Sequence, residues 1–165
     1  MLWIMVVALL AIVVWQDFKD RSISVWVLAL LTVTVLTHTM VLGVFSMVEI
    51  AGNMLFIAVQ LGLLNLLVYF YRHHWLMHGE KWIGWGDIVF FAVAACCFST
   101  MNFIVYYVVS LLLVLAVVLA AMAFGRFIRT IPLAGSQAML LMVIMMADYA
   151  NSGRQLYVDS ALFVR

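Results

Sequence analysis

IAGNMLFIAVQLGLLNLLVYFY, residues 50–71, carries no charge from end to end. A helix crosses the hydrocarbon core of a bilayer with roughly 20 such residues, and the apolar positions here do not alternate as those of a barrel strand would. Three amides interrupt the stretch, Asn53, Gln60 and Asn65. Inside lipid an amide needs a partner, most simply on a neighbouring helix, so all three read as helix–helix contacts. Similar stretches lie on both sides: Met1–Trp15, which Gln16 and Asp17 extend into the interface, Ile23–Val44, Ile83–Phe98, Phe103–Phe124 and Ile131–Ala147. The tail from Asp148 to Arg165 is mixed and reads as a short interfacial helix. The expected fold is all-α: one membrane-embedded domain, residues 1–165, built as a bundle of about six transmembrane helices.

Composition agrees. Of 165 residues, 69% are hydrophobic and 9% charged, with a mean hydropathy of +1.24. Soluble domains carry roughly 25% charged residues, so this chain cannot cover a water-facing surface. With no water in the bilayer core, helices satisfy the backbone where open sheets cannot. A net charge of +1 gives no reason to expect nucleic acid. Cys96 and Cys97 are adjacent inside an apolar run, and no second pair completes a zinc site. The amino-terminal stretch lacks a basic leader region and a small-residue cleavage site, so it reads as a retained helix.

Lys and Arg set the expected orientation. Lys19, Arg21, Arg72, Lys81, Arg126 and Arg129 all follow the first, third or fifth stretch, while Arg154 and Arg165 fall in the tail. The three basic links are therefore expected in the cytoplasm and both termini outside. This puts Asp17 and Asp87 at the same membrane face.

Those two acids are the chemical candidates, because an ionisable residue at the edge of a hydrophobic span is costly. Asp87 follows Gly84-Trp85-Gly86 at the start of the fourth stretch. Glycine permits close backbone approach, so Gly84 and Gly86 leave room for a substrate strand or another helix. Two aspartates sharing a proton hydrolyse peptides: the ionised one takes a proton from water, and the protonated one donates to the scissile carbonyl. Asp87 opens a helix, where the dipole favours the charged form. Asp17 closes one, so Asp87 is expected to ionise first. The same residues also read as structure: Asp is a common helix cap, and Asp17, Lys19, Asp20 and Arg21 make an interfacial charge patch. His73, His74 and His78 have only Glu80 as an acidic companion and read as interfacial or substrate-contacting; no metal or cofactor is expected. Trp15, Trp26, Trp75, Trp82 and Trp85 read as interfacial anchors.

Asp17-Phe18-Lys19-Asp20-Arg21-Ser22-Ile23 resembles the first catalytic motif of the type IV prepilin peptidases, and Gly84-Trp85-Gly86-Asp87 resembles their second, the Gly-x-Gly-Asp shared with preflagellin peptidases. Pro132, opening the last stretch after a basic link, falls where these proteins often carry proline. The resemblance implies a catalytic pair of Asp17 and Asp87. It selects Asp17 over Asp20, because the family's acid stands six residues before Ile23. It also implies substrate contacts at Gly84, Gly86, Lys19 and Arg21, no cofactor, and location in the inner (plasma) membrane. The implied substrate is a pilin-like precursor whose leader is removed at the cytoplasmic face. Ser24-Val25 stands where the family has Pro-Asn, and Val89 where a Lys often follows the second acid. The Cys-x-x-Cys domain of the larger members is absent, so the likeness is to small peptidase-only members and N-methylation is not implied. The link Arg72–Trp82 is expected to lie over the site, with Gly79 as a hinge. A non-catalytic subunit of a pilus or secretion machine is the competing reading; a proton-coupled transporter, which needs acids at the midplane, ranks below it.

Reporter fusions within 72–81 and within 125–129 are expected to report cytoplasm, and a fusion after Arg165 the outside. A cytoplasmic carboxy terminus would overturn this orientation.

Overall fold

The computed structural model describes residues 2–72, 84–124, 133–151 and 155–157. Six α-helices follow in order: α1 (Leu2–Asp20), α2 (Val25–Leu42), α3 (Met47–Arg72), α4 (Trp85–Ala95), α5 (Thr100–Ala123) and α6 (Leu133–Asn151), then a single 3₁₀ turn, Gln155–Tyr157. Among the described residues there is no strand. All helices except α4 are long and apolar enough to cross a membrane. The chain is a multi-pass helical membrane bundle.

α4 differs from the expected fourth span. Its 11 residues rise about 16 Å, against a hydrocarbon core of about 30 Å. It stops because the next residues, Cys96 to Ser99, turn the chain straight into α5. Non-helical backbone survives at membrane depth only where protein buries it and satisfies its polar groups. Both conditions hold here. Cys96, Cys97, Phe98 and Ser99 are buried. Asn53 of α3 donates through Nδ2 to the Ala95 carbonyl at 2.8 Å and the Phe98 carbonyl at 3.1 Å. The Ser99 amide donates to the Leu156 carbonyl at 3.0 Å, which also accepts from Asn102 Nδ2 at 3.0 Å. Leu156 in turn donates its amide to Asp148 Oδ1 at 3.3 Å. The tail is thus drawn under the α4–α5 turn. At about 1.5 Å per residue, Asn53 lies about 9 Å along α3 from Met47, so the turn sits well inside the bundle.

α1 packs along α6 and α2 and forms the spine of the bundle. Val6, Leu10 and Val13 of α1 meet Leu31 of α2 and Ala138 and Leu141 of α6 in one core. α3 packs against the core through its first half, as far as Leu61. Gly52 faces Thr100, Phe56 meets Phe103 and Tyr107 edge-on at 6.1 and 5.4 Å, and no residue from Ala58 to Phe70 is buried. Exposed apolar side chains such as Trp26 (85%), Val48 (83%) and Phe124 (85%) cover the outside. Lipid takes them as water takes the charges of a soluble fold.

Of the three amides in α3, Asn53 makes the expected interhelical contact. Gln60 is instead exposed on α3, and no described hydrogen bond reaches its side chain. Asn53→Ala leaves two buried carbonyls without a donor and is expected to destabilise the protein by about 1–3 kcal/mol, read as a lower thermal midpoint in detergent. Gln60→Ala is expected to leave the midpoint unchanged. Equal midpoints for the two variants would show that Asn53 does not hold the turn.

Candidate functional site

Asp17 lies in the last turn of α1 and is 7% exposed. The turn that follows is shaped by its backbone: the Arg21 amide donates to the Asp17 carbonyl at 3.2 Å, and Arg21 has a φ of 53°. Gln16 closes the link from the side, its Oε1 accepting the Ser24 amide at 3.0 Å. Ser24 is extended at φ −67°, ψ 128° and precedes the first residue of α2. The hydrogen bond that Gln16 accepts thus secures the short link between α1 and α2.

Asp87 lies in the first turn of α4. Its Oδ2 accepts the Gly84 amide at 3.2 Å, the bond by which an acid at the third helical position closes its own helix start. Its Oδ1 accepts the Ala134 amide at 3.1 Å. The next amide of α6, Gly135, donates to Asp17 Oδ2 at 2.6 Å. The amino end of α6 therefore holds both acids, one on each of two consecutive amides. Adjacent helical amides lie about 3 Å apart, so the two bonded oxygens are separated by at most about 9 Å. Asp17 is close enough for its charge to be felt at Asp87.

The first amides of a helix have no partner inside it, and the dipole makes that end attractive to anions. The amino end of α6 offers this partnership to both carboxylates at once.

Gly135 is required by close approach. A Cβ at this position would lie 2.8 Å from Asp17 Oδ2, 3.0 Å from Asp17 Cβ and 3.1 Å from Phe18 Cδ2. Gly86 faces Ile23, whose side chain would stand 3.6 Å from a Cβ there. Ile23 belongs to the α1–α2 link, so Gly86 seats that link against α4. Gly84 is the residue before α4, and a Cβ on it would lie 3.1 Å from Asp87 Oδ2.

The structure therefore gathers Asp17, Asp87, Gly84 and Gly86 at one end of the bundle. Lys19 and Arg21 are exposed at the rim; Lys19 Nζ sits 4.5 Å from the centre of the Trp15 ring. Asp20 is exposed at the end of α1. His73, His74, His78, Gly79, Glu80 and Pro132 lie outside the described residues. Among the described residues no group of three metal-ligating side chains comes together. Gln16, Ala134 and Gly135 were not singled out from sequence. Ala134 and Gly135 act through their main-chain amides, which leave no side-chain signal in the sequence. At the opposite end of the bundle, a cavity of about 390 Å³ is lined by Trp3, His38, Asp148 and Tyr157 among others; it lies away from both acids.

Compared with family models, curated proteins and solved structures, the chain matches none.

Gly135→Val forces a side chain into the Asp17 carboxylate and is expected to cost about 1–3 kcal/mol. Thermal unfolding in detergent measures it. Gly62→Ala, at a position with open space around it, serves as the control. A Gly135→Val midpoint equal to that of the control would place Asp17 elsewhere.

Proposed function

We propose that this chain is a membrane-embedded aspartyl endopeptidase that removes the leader of type IV pilin-like precursors at the cytoplasmic face of the inner (plasma) membrane. The observation that carries the reading is the pairing of Asp17 and Asp87 on the Gly135 and Ala134 amides. Two acids from distant parts of the chain converge at one end of a lipid-facing bundle, where a lone carboxylate is costly.

The aspartyl mechanism uses one proton shared between the two carboxyl groups. The ionised carboxylate takes a proton from water as the water oxygen attacks the scissile carbonyl carbon. The protonated carboxyl group gives its proton to the carbonyl oxygen. The resulting diol collapses: the C–N bond breaks, the departing amine takes the proton held by the first carboxylate, and a diol hydroxyl returns its proton to the second, leaving a carboxylic acid and the pair with one proton again. The α6 amides keep both carboxyl groups aimed through this cycle and donate to whichever oxygen is charged. The exposed Lys19 and Arg21 stand at the rim, placed to meet main-chain carbonyls of the leader. Specificity for pilin-like precursors rests on the two motif resemblances. The competing reading, a non-catalytic subunit of a pilus or secretion machine, rests on Ser24 and Val89, where the chain departs from that pattern.

Asp17→Asn and Asp87→Asn each keep volume and hydrogen bonding but lose the proton chemistry. Each is expected to lower leader removal from a pilin-like precursor by at least about a hundredfold, and the double variant to be little worse, because the pair acts as a unit. Asp20→Asn is expected to retain most activity. Cleavage by purified Asp87→Asn would sink the aspartyl mechanism; wild-type protein that binds precursor but never cleaves it would favour the subunit reading.

A further inference from the structure

Gln137 is 1% exposed, and neither its side-chain oxygen nor its nitrogen has a hydrogen-bond partner. Burying an unbonded amide is costly, and folded proteins seldom leave such a group without a protein or water partner. The Tyr106 hydroxyl is committed elsewhere: it donates to the Gln137 main-chain carbonyl at 3.0 Å, so its proton is not left for the Gln137 amide.

The position of this amide ties it to the acids. Gln137 follows Ala134 by three residues on α6, so the two are neighbours on one helix face. Long helical side chains lean toward the amino end of their helix, which here is where the Ala134 amide meets Asp87 Oδ1. Each Asp87 oxygen has one described hydrogen bond, and a carboxylate oxygen accepts two. Phe90, one turn along α4 from Asp87, is wholly buried. A buried water makes about three hydrogen bonds. The Gln137 amide and an Asp87 oxygen supply the mixture of donor and acceptors that one water needs.

We propose that Gln137 is a positioning residue: its amide holds a buried water whose other contact is the Asp87 carboxyl group. This water fixes the orientation of the Asp87 carboxyl group and gives the buried amide its missing partner. The effect on catalysis rests on the peptidase reading; the water itself does not.

The experiment has two arms. Infrared difference spectra identify the carboxyl band that Asp87→Asn removes, first in wild-type protein and then in Gln137→Leu. A shift of that band to higher frequency in Gln137→Leu, with a smaller response of the band to H₂¹⁸O, is expected, because the carboxyl group loses its water. In the second arm, precursor cleavage by Gln137→Leu is expected to fall about tenfold or more in kcat with KM unchanged. Gln137→Asn, which keeps the amide, is expected to recover most of the loss. An unshifted band in folded Gln137→Leu would overturn the proposal even if wild-type protein cleaves precursor. A shifted band without wild-type cleavage would leave the water in place and remove the peptidase. Equal kcat loss in the Leu and Asn variants would reduce Gln137 to a packing residue.

Discussion

Two carboxylates on two consecutive amides at the start of α6 are the constraint around which this end of the bundle is built. An acid so close to lipid needs donors that cost nothing extra to bury, and the free amides of a helix start are such donors. Meeting that need brings the ends of α1, α4 and α6 together. It requires glycine at position 135, because a Cβ there would fall 2.8 Å from the Asp17 oxygen. It also requires a tight link after Asp17, which Gln16 and the left-handed backbone of Arg21 provide.

A second constraint shapes the other end. α4 brings Asp87 to the site but is too short to cross, so its carboxyl end and the following turn stop inside the protein. Their carbonyls and amides must find partners there. Asn53 reaches across from α3, and Leu156 comes up from the tail. The two ends are coupled through α4: the length that suits Asp87 at one end fixes the depth of the turn at the other. α3 and α5 hold this arrangement through their first halves and give most of the rest of their surface to lipid.

The two sets of polar contacts differ in kind. At the α4–α5 turn, side-chain amides serve main-chain carbonyls, and the result is a fixed structure. At the acids, main-chain amides serve side-chain carboxylates whose proton count can change. Neutral donors on a rigid helix start suit that use, since they support a charge without carrying an opposite one that would pin it. The buried amide of Gln137 lies just beyond this group, on the face of α6 that also carries Ala134.

Much of the fold was legible because hydrophobic runs of membrane length leave one solution for the backbone. The long apolar helices, their order and the alternation of basic links all follow from composition along the chain. Asp17 and Asp87 were legible as well, because charge beside an apolar run is costly and therefore conspicuous. The length of α4 was not. The apolar run continues through Cys96, Cys97 and Phe98, and only Asn53 and Leu156, distant in sequence, end the helix where it ends. Nor were Ala134 and Gly135 legible, since a backbone amide has no side-chain signature and its role depends on what folds against it. Sequence by itself determined that helices span the membrane and which acids sit at their edges, because both follow from the free energy of local transfer into lipid. Tertiary structure alone decided that the two acids share one helix start, because that depends on which chain ends are packed together in space.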